Sequence, residues 1–208
     1  MTQSGWTHAA QTVNTPAGGP YVSSAFSWTN AASGNFGVDV EAADAWAPPN
    51  TSITTLNVTE DSTAPTGHSV TVTGGPVFNA LSIPFVLVDG SDAGAGLDTA
   101  SRTVTRQVAS LTSGVCGSFS DDAFSVSSPD TGVMSGNCYR YVFTIADRVG
   151  NVSATSTSAA VQVDTDAPPA PTQVITESAA DGHAVGSTLF YLPSGSGTFT
   201  VILSSFSP

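Results

Sequence analysis

An internal repeat constrains the fold of this chain more than any single motif does. Residues 36–65 align without a gap on residues 139–168, at a constant offset of 103 residues. Seven pairs are identical in the two copies: Ala43 and Ala146, Asp44 and Asp147, Thr54 and Thr157, Val58 and Val161, Asp61 and Asp164, Ala64 and Ala167, and Pro65 and Pro168. A chain that repeats a segment at this spacing is a tandem array of one module.

Both copies carry the side-chain pattern of a β-strand. An apolar residue stands at every second position before an Asp-led turn: Val38, Val40 and Ala42 in the first copy, and Tyr141, Phe143 and Ile145 in the second. A period of two is typical of strands, whereas helices repeat their apolar residues every three or four positions. Short strands in a module of about 100 residues match an immunoglobulin-like sandwich. We therefore predict an all-β chain of tandem immunoglobulin-like β-sandwich modules.

The Ala-Pro pairs that end each repeat mark the module boundaries. They divide the chain into residues 1–65, the C-terminal part of one module, residues 66–166, a complete module, and residues 167–208, the N-terminal part of a following module. One module of this size can bury a workable core. On this division we expect the chain to be cut from a longer array.

Within the complete module, alternating segments separated by turn residues predict the strands. They cover residues 69–73, 81–88, 102–109, 123–127, 139–146 and 153–163. The core candidates on one face of the second strand are Leu81, Ile83, Phe85 and Leu87. Between the last two strands, Gly150 or Asn151 can take the positive φ that a hairpin turn requires. No segment predicts a helix.

Charge and missing residue types exclude several functions. Sixteen acidic residues stand against four arginines, lysine does not occur, and the net charge is −12. Such a surface repels the phosphates of nucleic acids, so no nucleic-acid partner is expected. No stretch approaches about 18 apolar residues, so no membrane insertion is expected either. Because the first residues lack the pattern of a signal peptide, a location outside the cell has to be inferred from other features.

The two cysteines, Cys116 and Cys138, lie in turn-like contexts beside glycine or asparagine. An even number of cysteines in a hydroxyl-rich chain that looks exported predicts a disulfide. Closing this loop of 22 residues would stabilise the module by about 3 kcal/mol. Two free buried thiols and a metal-binding pair are the alternatives, although two cysteines without matching histidines make a poor zinc site.

A glycine-rich acidic loop, residues 89–98, is the candidate cation site. Asp89, Asp92 and Asp98 cluster in it, and calcium favours loops that are rich in oxygen donors. Further carboxylates stand at the module junction and in the turn before the last strand, at Asp147, Asp164 and Asp166. The alternative is that these aspartates cap their own backbone in Asx turns. The spacing does not match the twelve-residue calcium loop, and we expect no cofactor other than calcium.

A catalytic constellation is not expected. The histidines His8, His68 and His183 are far apart in turn-like or strand-edge segments, and no serine stands in a Gly-x-Ser-x-Gly elbow. Without lysine the phosphate-binding Gly-x-x-x-x-Gly-Lys loop is excluded. We therefore predict that the chain is not an enzyme.

Aromatic residues near the start of the chain offer a platform on which a sugar ring could stack. They are Trp6, Tyr21, Trp28 and Trp46. Phe26 and Trp28 alternate on one face, however, and this pattern favours a core position for Trp28.

Three segments carry a resemblance to a known family. Asp-Ser-Thr-Ala-Pro at 61–65, Asp-Thr-Asp-Ala-Pro-Pro-Ala-Pro at 164–171 and Ile-Ala-Asp-Arg-Val-Gly-Asn at 145–151 resemble the bacterial Ig-like repeats of very large surface proteins. The resemblance implies that the Ala-Pro segments join consecutive modules and that the turn precedes the last strand. The first copy has prolines where the second has Gly150 and Asn151, so we expect its hairpin to be built differently.

This resemblance implies a mechanical role at the cell surface. Pro-rich joints restrict the backbone and hold neighbouring modules apart, so the first hypothesis is a non-catalytic structural spacer of a bacterial surface or secreted multi-domain protein, with adjacent modules as its partners. A second hypothesis is an adhesin that binds a glycan or a host protein through loops such as 89–98 and 113–122. A third is an accessory module of a secreted polysaccharide-acting enzyme.

Partial modules expose strand edges and apolar faces. The trailing part of one chain could complete the leading part of the next and build head-to-tail fibres by strand complementation. A truncated gene fragment is the alternative, and it is the one that we favour.

Overall fold

The structure, a computed structural model, describes residues 4–177 and 181–204. About 47% of the described residues lie in strands or isolated bridges, the strands form several sheets, and the described residues contain no helix. The predicted all-β class is therefore confirmed.

Strands occur along the whole of the described chain. In order they are β1 (Trp6–Thr7), β2 (Ser27–Trp28), β3 (Phe36–Ala43), β4 (Thr51–Val58), β5 (Ser69–Val72), β6 (Val77–Phe78), β7 (Phe85–Val88), β8 (Leu97–Thr112), β9 (Val115–Cys116), β10 (Ser120–Ala123), β11 (Asn137–Asp147), β12 (Ser156–Thr157), β13 (Val161–Val163), β14 (Thr172–Glu177), β15 (Gly182–Val185), β16 (Thr188–Tyr191) and β17 (Phe199–Ser204). The long strands β8 and β11 contain 16 and 11 residues.

The chain forms two compact units, each of which combines segments that are distant in sequence. The first consists of the described residues up to Gly67, Asp89–Arg102 and Ile145–Ala154, and the second of His68–Val88, Thr103–Thr144 and the described residues from Thr155 onward. Strands β8 and β11 each begin in one unit and end in the other. The module boundaries that the repeat predicts stay a prediction.

The largest sheet has seven strands, with β8 and β11 next to each other. Its order is β10-β8-β11-β13-β6, and β12 and β9 add to β11 and β8. β10 and β9 run antiparallel to β8, β12 and β13 run antiparallel to β11, and β6 runs parallel to β13. β5 and β7 form a separate antiparallel pair in the second unit.

The hydrophobic core of the second unit is built on alternating residues of β11. Tyr139, Tyr141 and Phe143 are at most 1% exposed. The other buried apolar side chains of this unit are Val70, Ile83, Phe85, Val104, Ala109, Val133, Cys138, Val161 and Val163. Ile145, the next residue of the alternation, is fully buried in the first unit. The inward positions predicted on this strand are confirmed.

One predicted strand begins later than its apolar pattern does. β7 starts at Phe85 and not at Leu81, which is 49% exposed, so the predicted core position of Leu81 is wrong. Pro84 has no N–H to donate to a strand ladder, and Ile83 before it forms an isolated bridge with Asp130 instead. Ile83 and Phe85 are buried as predicted.

Smaller antiparallel pairs make up the rest of the fold. In the first unit β1 pairs with β2, and β3 pairs with β4 from Phe36↔Val58 to Ala43↔Thr51, so the first copy of the repeat forms a strand where its alternation predicts one. In the second unit β14 pairs with β17, and β15 with β16. Large apolar side chains that are about half exposed on these hairpins include Val40, Ile53, Leu56, Val174, Phe199 and Ile202.

Candidate functional site

The turn at residues 147–151, which we call the Asp147 turn, holds a buried carboxylate. Asp147 is 2% exposed. Its Oδ1 accepts three backbone hydrogen bonds of 2.7–2.9 Å, from Val149, Gly150 and Asn151, and its Oδ2 accepts one of 2.7 Å from the side-chain amide of Asn151. Burial raises the pKa of Asp147, but these donors outweigh burial and hold the pKa below its usual value. Asp147 is therefore a fixed anion.

The segment 61–66, which we call the joint, is bonded both to this turn and to the acidic loop. The amide of Asn151 donates to the backbone carbonyl of Asp61 at 3.1 Å. The N–H of Ala95 donates to Asp61 Oδ2 at 2.5 Å. A Cβ at Gly94 would collide with the same oxygen, so only glycine leaves room for the Asp61 carboxylate.

A backbone bridge secures the other end of the joint. Thr66 and Ser91 exchange two N–H···O hydrogen bonds of 3.0 and 2.9 Å. Pro65, which precedes the bridge, is buried, and its ring restricts the φ angle of the backbone. The joint therefore has little freedom to move against the acidic loop.

Asp92 closes the acidic loop on itself. Its Oδ2 accepts the backbone N–H groups of Gly94 at 3.0 Å and Gly96 at 2.8 Å. Gly96 has a φ of 77°, a conformation that favours glycine, and its carbonyl accepts the N–H of Arg148 at 3.0 Å. The Oδ1 of Asp92 is buried, with less than 1 Å² exposed, and has no hydrogen-bond partner.

Three aspartates from these segments converge in what we call the carboxylate pocket. One oxygen each of Asp61, Asp92 and Asp147 lies within 4.8 Å of the other two, and all three residues belong to the first unit. Within the part of the chain that the structure describes, no other three acidic, histidine or cysteine side chains come together in this way. An all-oxygen donor set is the kind that hard divalent cations prefer.

Of the three candidate ligands in the acidic loop, Asp92 alone belongs to this pocket, and it meets Asp147, the carboxylate of the turn before the last strand. Asp89 pairs with Arg102, whose Nε lies 2.6 Å from Asp89 Oδ1, and the hydrogen bond from the guanidinium lowers the pKa of Asp89. Asp98 caps its own backbone, because its Oδ1 accepts the N–H of Ala100 at 3.0 Å. Calcium binding by the acidic loop on its own stays a prediction.

The sequence did contain a signal for the two partners of Asp92. Asp61 and Asp147 are both identical in the two copies of the repeat. Their meeting with Asp92 depends on three segments that are distant in sequence, so periodicity within any one segment could not reveal it.

The first copy of the repeat forms an equivalent turn from Asp44 to Asn50, which is two residues longer than the turn from Asp147 to Asn151. Asp44 Oδ1 accepts the N–H groups of Trp46 at 3.1 Å and Asn50 at 2.9 Å, and the amide of Asn50 donates to Asp44 Oδ2 at 2.6 Å. The N–H of Asp44 bonds the carbonyl of Asn50 at 3.0 Å, as that of Asp147 bonds Asn151 at 3.1 Å. The two hairpins differ in length, as expected from the prolines, but share their hydrogen bonding.

The predicted disulfide is present. Cys116 and Cys138 are joined with a Cα–Cα distance of 5.8 Å, and Cys138 is fully buried. The bridge links β9 to the start of β11 and closes a loop of 22 residues.

A buried ionic network lies in the second unit. Arg106 bonds Asp130 through Nη1 at 3.0 Å and Asp122 through Nε at 2.7 Å. The hydroxyl of Tyr141 donates to Asp130 Oδ2 at 3.0 Å. Burial, and after it the negative charge of Asp130, raise the pKa of Tyr141 far above its usual value. Asp130 and the hydroxyl of Tyr141 satisfy each other inside the core, and Asp122 binds Arg106 from the exposed side; such an arrangement is typical of a structural network.

The three histidines have separate environments. The ring of His8 stacks on that of Phe26, with centroids 3.6 Å apart, and the centroid of His68 lies 5.8 Å from that of Phe143. Nδ1 of His183 lies 3.7 Å from Oε1 of Glu177. The absence of catalysis stays a prediction.

Trp6, which is half-buried, and Trp28, which is exposed, form an aromatic pair in the first unit. Their ring centroids are 5.2 Å apart, and Trp28 is 68% exposed, so the core position that its sequence pattern favours is wrong. Thr59 and Glu60 line the same cleft. Glu60 also accepts a hydrogen bond from the N–H of Gly34.

Among the described residues, no helix is long and apolar enough to cross a membrane. Comparison of the chain with protein-family models, with curated proteins and with solved structures finds no match in any of the three.

Proposed function

We propose that this chain is a non-catalytic spacer segment of a bacterial surface or secreted protein, built from tandem immunoglobulin-like sandwich modules. The observation that carries the proposal is the joint, a proline-containing connection that is bonded at both of its ends. The internal repeat at an offset of 103 residues supports the tandem arrangement.

The joint has the properties of a stiff connection. Asp61 is held by Asn151 and Ala95, and Thr66 is held by a backbone bridge. Pro65 restricts the backbone between them. Such a connection keeps a fixed spacing better than a flexible Gly/Ser linker does.

The immunoglobulin-like arrangement is supported by the core of the second unit. β11 alternates buried and less buried residues between β8 and β13. The pair β5 and β7 supplies Val70 and Phe85 to the same core, and the rings of Phe85 and Tyr141 have centroids 4.7 Å apart. Two antiparallel layers that share one core are what a sandwich requires.

A location outside the cell is supported by the disulfide between Cys116 and Cys138. Disulfides form and persist in oxidising environments such as the cell exterior. A bridge on β11 also suits a mechanical role, because it ties the start of a core strand to β9.

Single-molecule pulling of the 208-residue chain between two handle domains tests the spacer function. A spacer has to resist extension, so the core around β11 should unfold in a discrete step. The disulfide shields the loop of 22 residues from extension, and a loop of that size spans roughly 7–8 nm when extended. The length gain of the oxidised chain should be shorter by that amount than the gain of the reduced chain. Gradual extension without a resolvable unfolding step would overturn the proposal.

One observation favours a second function, that of an adhesin for glycans. Trp28 is exposed beside Trp6, and Glu60 and Thr59 add polar groups to the cleft. The flat, uncharged face of a tryptophan can stack on a sugar ring, and a few polar groups would fix the orientation of the sugar.

A glycan array probed with the native chain and two variants tests the adhesin. Trp28→Ala should lose retention, whereas Trp46→Ala, which changes a tryptophan that is 78% exposed and outside the cleft, should keep it. Equal retention of both variants, or no retention of the native chain, would contradict glycan binding by this cleft.

A further inference from the structure

The cleft beside Trp6 and Trp28, which we call the tryptophan cleft, is lined by one charged side chain. That side chain is Glu60, and the other lining residues are aromatic, aliphatic, small or hydroxyl-bearing. All of them belong to the first unit. The volume of the cleft, about 460 Å³, lies within the range of small-molecule sites. A ligand in this cleft therefore meets apolar surface and a single negative charge.

The two tryptophans form a flat platform. Their ring centroids are 5.2 Å apart with the planes inclined by 32°, and Trp6 also makes an edge contact with Phe36 at 5.1 Å. Rings at these distances pack on each other, so they do not form a cage that surrounds a cation. Trp28 is 68% exposed. Its open face is therefore the surface on which a ligand ring can stack.

The carboxylate of Glu60 is positioned before any ligand arrives. Its Oε2 accepts the N–H of Gly34. The backbone N–H of Glu60 donates to Asn35 Oδ1 at 2.7 Å, which fixes the main chain at the same residue. A group that is already held in place loses less conformational entropy on binding.

The charge of Glu60 has no protein counterion. None of the ion pairs that the described residues form includes it. Arg148 precedes Val149 of the cleft wall, but its guanidinium lies toward the acidic loop, with Nη1 3.6 Å from the position of a Cβ at Gly96. The chain contains no lysine and has a net charge of −12. The complement of this cleft is therefore a ligand that carries a positive charge.

We propose that the tryptophan cleft binds an amino sugar, whose ring stacks on Trp28 while its protonated amine pairs with Glu60. The inference rests on the adhesin function and deepens it, because it names the class of glycan. A neutral sugar gains the stacking alone. A lysine side chain gains the charge pair but has no ring to cover Trp28. The net charge of −12 also attracts a cationic glycan from a distance.

Calorimetric titration of the 208-residue chain with two sugar probes tests the inference. The probes are the tetramers of glucosamine and of N-acetylglucosamine, which share their rings and differ at the amino group. The titrations are made at about pH 6, where amines are protonated, and in about 0.15 M salt, which screens the attraction of distant charges. The native chain should bind the glucosamine tetramer about fivefold more tightly, which corresponds to one exposed ion pair.

Glu60→Gln removes the charge of the cleft and keeps an oxygen that can accept the N–H of Gly34. This variant should bind the glucosamine tetramer only as tightly as the N-acetylated one, with its affinity for the latter unchanged. Glu41→Gln is the matched control, because it makes the same change of charge at an exposed residue outside the cleft. It should keep the native preference.

The inference is overturned if the native chain binds both tetramers equally, or if the preference survives Glu60→Gln. It is also overturned if a lysine tetrapeptide binds as tightly as the glucosamine tetramer does, since charge alone would then explain the binding. In these cases loss of sugar binding in Trp28→Ala would still support the adhesin. Sugar binding that Trp28→Ala leaves unchanged would remove both. Absence of binding by either tetramer overturns the inference and leaves the adhesin to the glycan array.

Discussion

At the scale of single residues, aspartates close many of the turns of this chain. Asp44 and Asp147 each clamp an asparagine that follows in the same turn, and Asp92 and Asp98 accept N–H groups of their own loop. The short carboxylate reaches backbone donors a few residues ahead, which is why aspartate favours turns. This local role can be predicted from sequence, whereas a contact with a carboxylate from another segment cannot.

Asn151→Ala should lower the melting temperature of the chain by several degrees. It removes the amide donors to the carboxylate of Asp147, which is 2% exposed, and to the carbonyl of Asp61. Leaving a buried acceptor without its donor costs more than losing an exposed bond does. Asn50→Ala is the matched control, because Asn50 makes the same clamp on Asp44 in an exposed turn. A larger fall for Asn50→Ala would contradict this account; thermal unfolding followed by circular dichroism measures both.

Tyr141→Phe should flatten the alkaline loss of stability. The pKa of Tyr141 is raised in the folded chain, so its contribution is fully present below the ordinary tyrosine pKa, near 10. As the pH rises past that value, the unfolded chain loses the phenol proton and the folded chain keeps it, so the free energy of unfolding falls. Urea unfolding between about pH 8 and pH 11 measures this slope. Tyr191→Phe, at a residue that is 73% exposed, should leave the slope unchanged, and a native slope in Tyr141→Phe would contradict the assignment.

At the scale of elements, alternation predicted the buried face of a strand well where another layer packs on that face. β11 buries every second side chain because the pair β5 and β7 packs on that face, with the ring centroids of Phe85 and Tyr141 4.7 Å apart. Leu81 and Trp28 follow similar patterns and are exposed. Pro84 delays the strand after Leu81 until Phe85, and β2, which contains Trp28, is a two-residue strand that pairs with β1 alone. The pattern indicates which side chains share a face, but it does not show whether another layer covers that face.

Removing the disulfide should destabilise the second unit. Replacing Cys116 and Cys138 together by alanine opens the loop of 22 residues and should lower the free energy of unfolding by about 3 kcal/mol in the chain-entropy estimate. Urea unfolding measures the change, and the reduced native chain should unfold at nearly the same urea concentration as the double variant. An unchanged midpoint would show that the bridge does not constrain the unfolded chain.

At the scale of the whole molecule, net charge and exposed apolar faces have opposing effects. The chain carries a net charge of −12, and such charge keeps copies apart. Half-exposed apolar residues lie on the hairpin of β3 and β4 and on the pair β14 and β17. Strand complementation between copies stays a prediction, as does the alternative of a gene fragment.

Self-association of the chain should therefore be weak and promoted by salt. Salt at about 1 M shortens the Debye length to about 3 Å and screens the repulsion between copies. The attraction between apolar faces is not weakened by salt and can become stronger. Sedimentation velocity should show a monomer in dilute buffer and a reversible increase in mass at high salt. Long fibres in dilute buffer would contradict this and favour strand complementation.

The sequence by itself determined the all-β class, the core face of β11, the disulfide and the turns. Alternation, cysteine pairing and Asx capping can be recognised from the residue types alone. Tertiary structure alone decided that Asp61, Asp92 and Asp147 meet, that Asp89 pairs with Arg102, and that Leu81 and Trp28 are exposed. Each of these outcomes depends on the distance between segments far apart in sequence, and a pattern within one segment contains no measure of that distance.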